Sequence, residues 1–248
     1  ETLLVIPDGI LRTIPFSAIF DGEQYMIEKY AIATTPGISL TFPKPLDADD
    51  VSFFAGGISD SVQGYSGLPG VPSELAKLED QHAADVLYNE EFQLSSIEAQ
   101  LGAGRYSIVH LATHGHFDSN PLQSYLLTYN SKLTMDLLEQ SIDSRGQAGA
   151  TLDLLVLSAC ESAVGDNRAA LGLAGVALKA GARSALATLW QISDAATVLI
   201  IGSFYEDMSK ENLSKAKALR LAQTKLIKSE RYSHPSDWAP FLLIGNWL

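Results

Sequence analysis

The sequence predicts an α/β fold, a mostly parallel sheet covered by helices on both faces. Three observations carry that expectation. Short apolar runs such as Val51-Ser52-Phe53-Phe54-Ala55 and Leu154-Leu155-Val156-Leu157 read as strands buried on both sides, because a half-buried strand would alternate apolar with polar. Helical patterns of ten or more residues separate these runs, as crossovers between parallel strands require. Two runs stop abruptly at small and reactive residues, at His114-Gly115 and at Ser158-Ala159-Cys160. In such sheets the site forms beyond the carboxyl ends of the strands, so both stops fall on one rim.

The elements follow in order. Residues 3–6 read as a strand, Pro7-Asp8-Gly9 as a turn and residues 25–35 as further strand. Residues 43–50 are a Pro- and Asp-rich link, and 51–55 a buried strand ending in Gly56-Gly57. Residues 58–72 form a long loop rich in Gly and Pro. Ser73 is the expected cap of a helix with Leu75, Leu78, His82, Val86 and Leu87 along one side. Strands follow at 106–111 and 154–157, with a small, polar and mobile loop expected at 140–151. Residues 169–180 read as a helix of small residues closed by Gly181. A strand at 183–189, helices at 195–208 and 213–229, and a strand at 241–244 complete the chain.

Composition narrows the function. Apolar residues make up 46% and charged residues 19% of 248, enough for one large folded domain and too apolar for disorder. The formal net charge of −12 and the lack of a basic patch argue against nucleic acid, which needs cations for its phosphates. No run approaches the roughly 18 apolar residues of a membrane span. Cys160 is the single cysteine, which excludes an internal disulfide and a Cys-rich zinc site and fits a reducing, cytoplasmic setting. The opening Glu1 leads straight into strand-like residues, so the chain reads as the C-terminal part of a longer protein.

A lone thiol beside a histidine is the material for nucleophilic catalysis. Cysteine attacks as thiolate, only a few per cent populated near neutrality at its free pKa, and a nearby imidazole supplies the base. Small neighbours at Ser158, Ala159, Ser162 and Ala163 let a substrate backbone approach. The competing reading of Cys160 is a buried small hydrophobe. His110, His114 and His116 suggest a metal cluster only at first sight, because no second cysteine or nearby acid completes a zinc set. His110 reads as a core histidine and His116 as a loop residue. Gly115 offers a bare backbone N–H to a substrate oxyanion.

These residues resemble the CHAT domains, members of the caspase and separase superfamily of cysteine peptidases. The likeness runs from Leu4-Val5-Ile6-Pro7-Asp8-Gly9 through Leu68-Pro69-Gly70 with Glu74, His110-Leu111-Ala112-Thr113-His114-Gly115 and Leu157-Ser158-Ala159-Cys160-Glu161-Ser162. It continues to Leu189-Trp190-Gln191-Ile192-Ser193-Asp194 and His234-Pro235 with Trp238. The resemblance implies a single domain over residues 1–248 with a caspase-like three-layer α/β/α sandwich. It implies His114 as general base, Cys160 as nucleophile, and the N–H groups of Gly115 and Cys160 as oxyanion donors, with no metal or organic cofactor. It also implies a protein substrate and an associated regulatory repeat module, such as tetratricopeptide repeats on the N-terminal side.

Specificity rests on fewer residues. Peptidases of this kind take the substrate as an added strand, and Thr188-Leu189-Trp190-Gln191 is the expected edge. Trp190 either walls a subsite or belongs to the core. Asp194 either selects Arg or Lys from a pocket, as in separases, or caps the following helix. Glu161 is a second acidic candidate that would equally pair with Arg168 or Arg183. Arg183 lies at the far end of its strand, which disfavours selection of Asp. Arg145 and Arg168 are expected points of self-cleavage. The expected activity is an endopeptidase cutting after Arg or Lys. The alternatives are a catalytically silent scaffold of the same fold and a thiol acyltransferase.

Overall fold

The computed structural model describes residues 1–38, 41, 43–47, 51–117, 123–144, 151–158, 161–162, 175, 178, 181–190, 192–210 and 213–248. Among them the strands are β1 (Thr2–Val5), β2 (Ala31–Thr34), β3 (Phe53–Gly57), β4 (Asp85–Tyr88), β5 (Ile108–Ala112), β6 (Gly115–Phe117), β7 (Tyr125–Leu127), β8 (Lys132–Thr134), β9 (Leu154–Leu157), β10 (Glu161–Ser162), β11 (Ser184–Thr188) and β12 (Phe241–Gly245). The helices are α1 (Met26–Lys29), α2 (Val71–His82), α3 (Leu94–Gly102), α4 (Met135–Asp143), α5 (Asp194–Met208), α6 (Lys215–Ile227) and α7 (Pro235–Trp238). None of these helices is long and apolar enough to cross a membrane.

Eight strands form one sheet in the order β1-β2-β12-β11-β9-β5-β3-β4. Every neighbouring pair is parallel except β11 with β12. The sheet is therefore two parallel blocks joined at one antiparallel seam. Successive side chains point to opposite faces, and both faces are covered. Phe53, Ala55, Ile108, Ala112, Leu154 and Val156 pack into one core with α2, α5 and α6. Phe54, Val109, Leu111, Leu155 and Leu157 pack into a second core with α3 and α4. The apolar runs that marked the strands are unbroken because each residue is claimed by one layer or the other.

Several expected boundaries move. Helix α2 starts two residues before Ser73, with Gly70 at its N-cap and Pro72 in its first turn, where a missing N–H costs nothing. It stops at His82 because Ala83 turns left-handed (φ 50°) and returns its amide to Glu79 and Leu78. Val86 and Leu87 are therefore not helical but belong to the edge strand β4. Residues 25–35 divide into α1 and β2. The start of the expected loop at 140–151 is the last turn of α4, residues 145–150 lie outside the described residues, and so does most of the expected helix at 169–180. β11 lies inside the sheet between β9 and β12. It is thus no free edge up to Thr188, and the Leu189 amide already donates to the Pro240 carbonyl at 3.0 Å.

A second, four-stranded sheet in the order β10-β6-β7-β8 sits beyond the carboxyl ends of β5 and β9. β6 and β10 are parallel, with Glu161 opposite His116 and Ser162 opposite Phe117. β7 and β8 form a hairpin against β6.

Candidate active site

The site is built where β5 and β9 end. Leu111 in β5 accepts the Ser158 amide at 2.9 Å, and Ala112 accepts the Ile58 amide at 3.0 Å. The chain then leaves the main sheet through Thr113 and His114 and enters β6. Thr113 Oγ1 donates to the Leu127 carbonyl at 2.8 Å, and the Leu127 amide donates back to the His114 carbonyl at 2.7 Å. Two bonds to one residue thus clamp the His114 backbone between the two sheets.

The imidazole of His114 is buried, 7% exposed, and its Nε2 lies 2.7 Å from the Ser66 carbonyl. A carbonyl has no proton to give, so Nε2 carries the hydrogen. In the neutral ring the lone pair is then on Nδ1, the arrangement a general base needs. The Tyr65 ring lies on the imidazole, centroids 5.0 Å apart.

Asp194 stands beside this histidine. It opens α5, but the cap is Ser193, whose hydroxyl accepts the Ala196 amide. The capping alternative for Asp194 therefore falls. Its carboxylate instead accepts the Gly70 amide. A Cβ at position 70 would lie 2.7 Å from the Asp194 carboxylate, so a larger residue there would push the carboxylate aside. Burial pushes the Asp194 carboxyl above the usual carboxylate range, the Gly70 N–H draws it back, and nearby Glu74 raises it further while His114 lowers it. A cavity of about 40 Å³ lies between Asp194, Glu74, His114, Ser158 and Ile192, roughly the room of one water molecule.

Behind the cavity is a buried polar group. Glu74 on α2 approaches His110 Nε2 at 3.0 Å, off the line of an aligned hydrogen bond. His110 Nδ1 lies 3.2 Å from the Tyr205 hydroxyl. Burial, with the Glu74 charge adding to it, pushes the Tyr205 phenol well up. Removing one partner of such a pair strands the other. Glu74→Ala is expected to cost about 3 kcal/mol in urea unfolding, and a loss below about 1 kcal/mol would mean the pair contributes like a surface one.

The remaining expected site residues fall as follows. Gly115 is buried and opens β6 opposite Leu126. Glu161 opens β10. Trp190 is half-buried against both cores and donates its indole N–H to the Ser236 carbonyl at 3.1 Å, so it is a packed residue with one exposed part. Arg183 is engaged by Asp153 at 2.7 Å. His110 is a core histidine and His116 lies in a strand, stacked on Tyr125. Cys160, Arg145 and Arg168 lie outside the described residues. No pattern of residue types points to Tyr65 or to the Ser66 carbonyl. A backbone acceptor has no residue signature, and the segment around it reads only as a long loop rich in Gly and Pro.

The CHAT domain family model matches residues 1–246, and the chain belongs to that family. Tetratricopeptide repeat protein 28 of Mus musculus is 32% identical over 134 residues, 52% of this chain and 5% of the relative. This chain thus spans a small fraction of that protein. The Arg specific cysteine proteinase gingipain R superposes with a TM-score of 0.56 and 11% identity, over 88% of this chain and 55% of that one. Separase, in the Saccharomyces cerevisiae separase–securin complex, gives 0.57 and 10%, over 95% of this chain and 15% of that one. At such identities the likeness establishes the fold. It is the caspase-like α/β/α sandwich expected of the family.

Proposed function

We propose that this CHAT domain is a cysteine endopeptidase with a Cys160–His114 dyad, cutting after Arg or Lys. The observation that carries the reading is the pairing of β10 with β6. It sets Glu161 beside His116, while the Ser158 amide is bonded to β5. Ser158 and Glu161, which flank the proposed nucleophile in the sequence, are thus held against β5 and β6, the strands on either side of His114.

In the proposed reaction His114 Nδ1 takes the Cys160 proton and the sulfur attacks the peptide carbonyl carbon. Negative charge moves to the carbonyl oxygen, where the N–H groups of Gly115 and Cys160 receive it. Collapse breaks the C–N bond, and His114 returns its proton to the leaving amine. Water, deprotonated by the same ring, then releases the acyl group from sulfur.

Asp194 supports the preference for a basic side chain, being an acid on the rim held in place by Gly70. The tetratricopeptide repeat relative supports regulation by an associated repeat module. A reducing compartment would keep the thiol free.

The test is a fluorogenic peptide library varied at the residue before the cut, together with an electrophilic peptide ending in Arg. The expected result is cleavage after Arg or Lys and a covalent label found by mass spectrometry on Cys160. Neither cleavage nor label would favour the silent scaffold. A transferred acyl product in place of a hydrolysed one would favour the acyltransferase.

A further inference from the structure

Ser66 and Gly70, whose backbone groups hold His114 and Asp194, lie on one loop between β3 and α2. What fixes that loop is a set of contacts to the β7–β8 hairpin. Gln63, at a left-handed φ of 51°, sends its side-chain amide to the carbonyls of Thr128 at 2.8 Å and Ser131 at 3.2 Å. The Tyr65 hydroxyl meets the Tyr125 hydroxyl at 2.9 Å. Tyr125 is pinned in turn, with His116 stacked on its ring and Lys132 3.9 Å from its centroid. At the other end of the loop the Ser59 amide donates to Asn89 Oδ1 at 2.8 Å.

We infer that Gln63 and Tyr65 are positioning residues that latch the loop to the hairpin and so hold the Ser66 carbonyl on His114 Nε2. The hairpin is itself bonded to β6, directly after His114. The latch thus closes a ring of contacts around the imidazole, with Tyr65 on its face and Ser66 at its edge. Gln63 is an exposed residue that nevertheless reaches two hairpin carbonyls, and an exposed left-handed position would ordinarily favour glycine or asparagine. The latch is a reason for a glutamine to stand there. The inference takes His114 as the base of the proposed dyad, but the state of its ring is readable without turnover.

The experiment is ¹⁵N NMR of the histidine side chains in the 248-residue chain, with the rate of Cys160 alkylation by iodoacetamide measured alongside. Wild type should show neutral His114 as one tautomer, protonated at Nε2. Gln63→Ala and Tyr65→Ala should each give a mixture of tautomers and slow alkylation by about tenfold. Tyr65→Phe keeps the ring contact and loses the hydroxyl that meets Tyr125, so it should fall between. Both alanine variants keeping a single Nε2–H tautomer and the wild-type rate would overturn the latch. An intact tautomer in wild type with no peptide cleavage would instead count against the peptidase and leave the latch standing.

Discussion

Replacing His114 by alanine should lower kcat/KM on a peptide substrate at least about a thousandfold, and adding Cys160→Ala should cost little more. The two residues act on one proton, so their losses overlap instead of summing. The geometry sharpens the expectation. Nε2 lies against the Ser66 carbonyl, so the proposed proton transfer runs through Nδ1. His114→Gln, which places a polar group in the same space without a titratable nitrogen, should be as inactive as His114→Ala. The measurement is steady-state kinetics on the single and double variants at matched stability. Losses that multiply would show that the two side chains act in separate steps, and the dyad would be wrong.

Asp194→Asn should reduce cleavage after Arg about a hundredfold, the cost of leaving a paired buried charge without its partner. Cleavage after an uncharged residue of similar length should change little. Asparagine keeps an oxygen for the Gly70 amide, so the substitution removes charge and leaves the loop in place. The same carboxyl should also show in the pH profile. Its ionisation lies above the usual carboxylate range because of burial. Cleavage after Arg should therefore fall on acidification at a higher pH than an ordinary carboxylate would give, and the asparagine variant should lack that limb. Stability should respond with the opposite sense. A carboxyl raised in the folded state binds its proton more readily there than in the unfolded chain. Its contribution is thus most favourable below the ordinary carboxylate range and is lost as pH rises through the raised value. Equal losses on charged and uncharged substrates would show that Asp194 holds structure and reads nothing.

The layers of the fold were legible in the sequence because strands covered on both faces have no polar positions to interrupt them. Residues 154–157 and 241–244 read correctly for that reason. The direction of a strand is not written in such a run, and the antiparallel seam at β12 was invisible. The edge strand β4 was lost because Val86 and Leu87 continue the spacing of α2, and the turn between them is made by Ala83, a residue with no turn signature. The second sheet went unseen because strands of two or three residues are too short to show a period. At the site, His114 and Gly115 were legible from residue type. Asp194 was half legible, since the neighbouring Ser193 takes the cap. The loop that orients the imidazole works mainly through backbone atoms, and those are common to every sequence.

The seam has a consequence for how the molecule comes into being. Strand β12, at residues 241–245, is the neighbour that joins β2 to β11, with Ile244 opposite Thr34. On the ribosome β1 and β2 are synthesised first and wait for a partner made some two hundred residues later. Until it emerges, two hydrogen-bonding strand edges stay open, one on each block. Pairing over such a separation is slow, and open edges invite the wrong neighbour. Strands β11, β9, β5, β3 and β4 pair among themselves, and β1 and β2 join them only once β12 stands between.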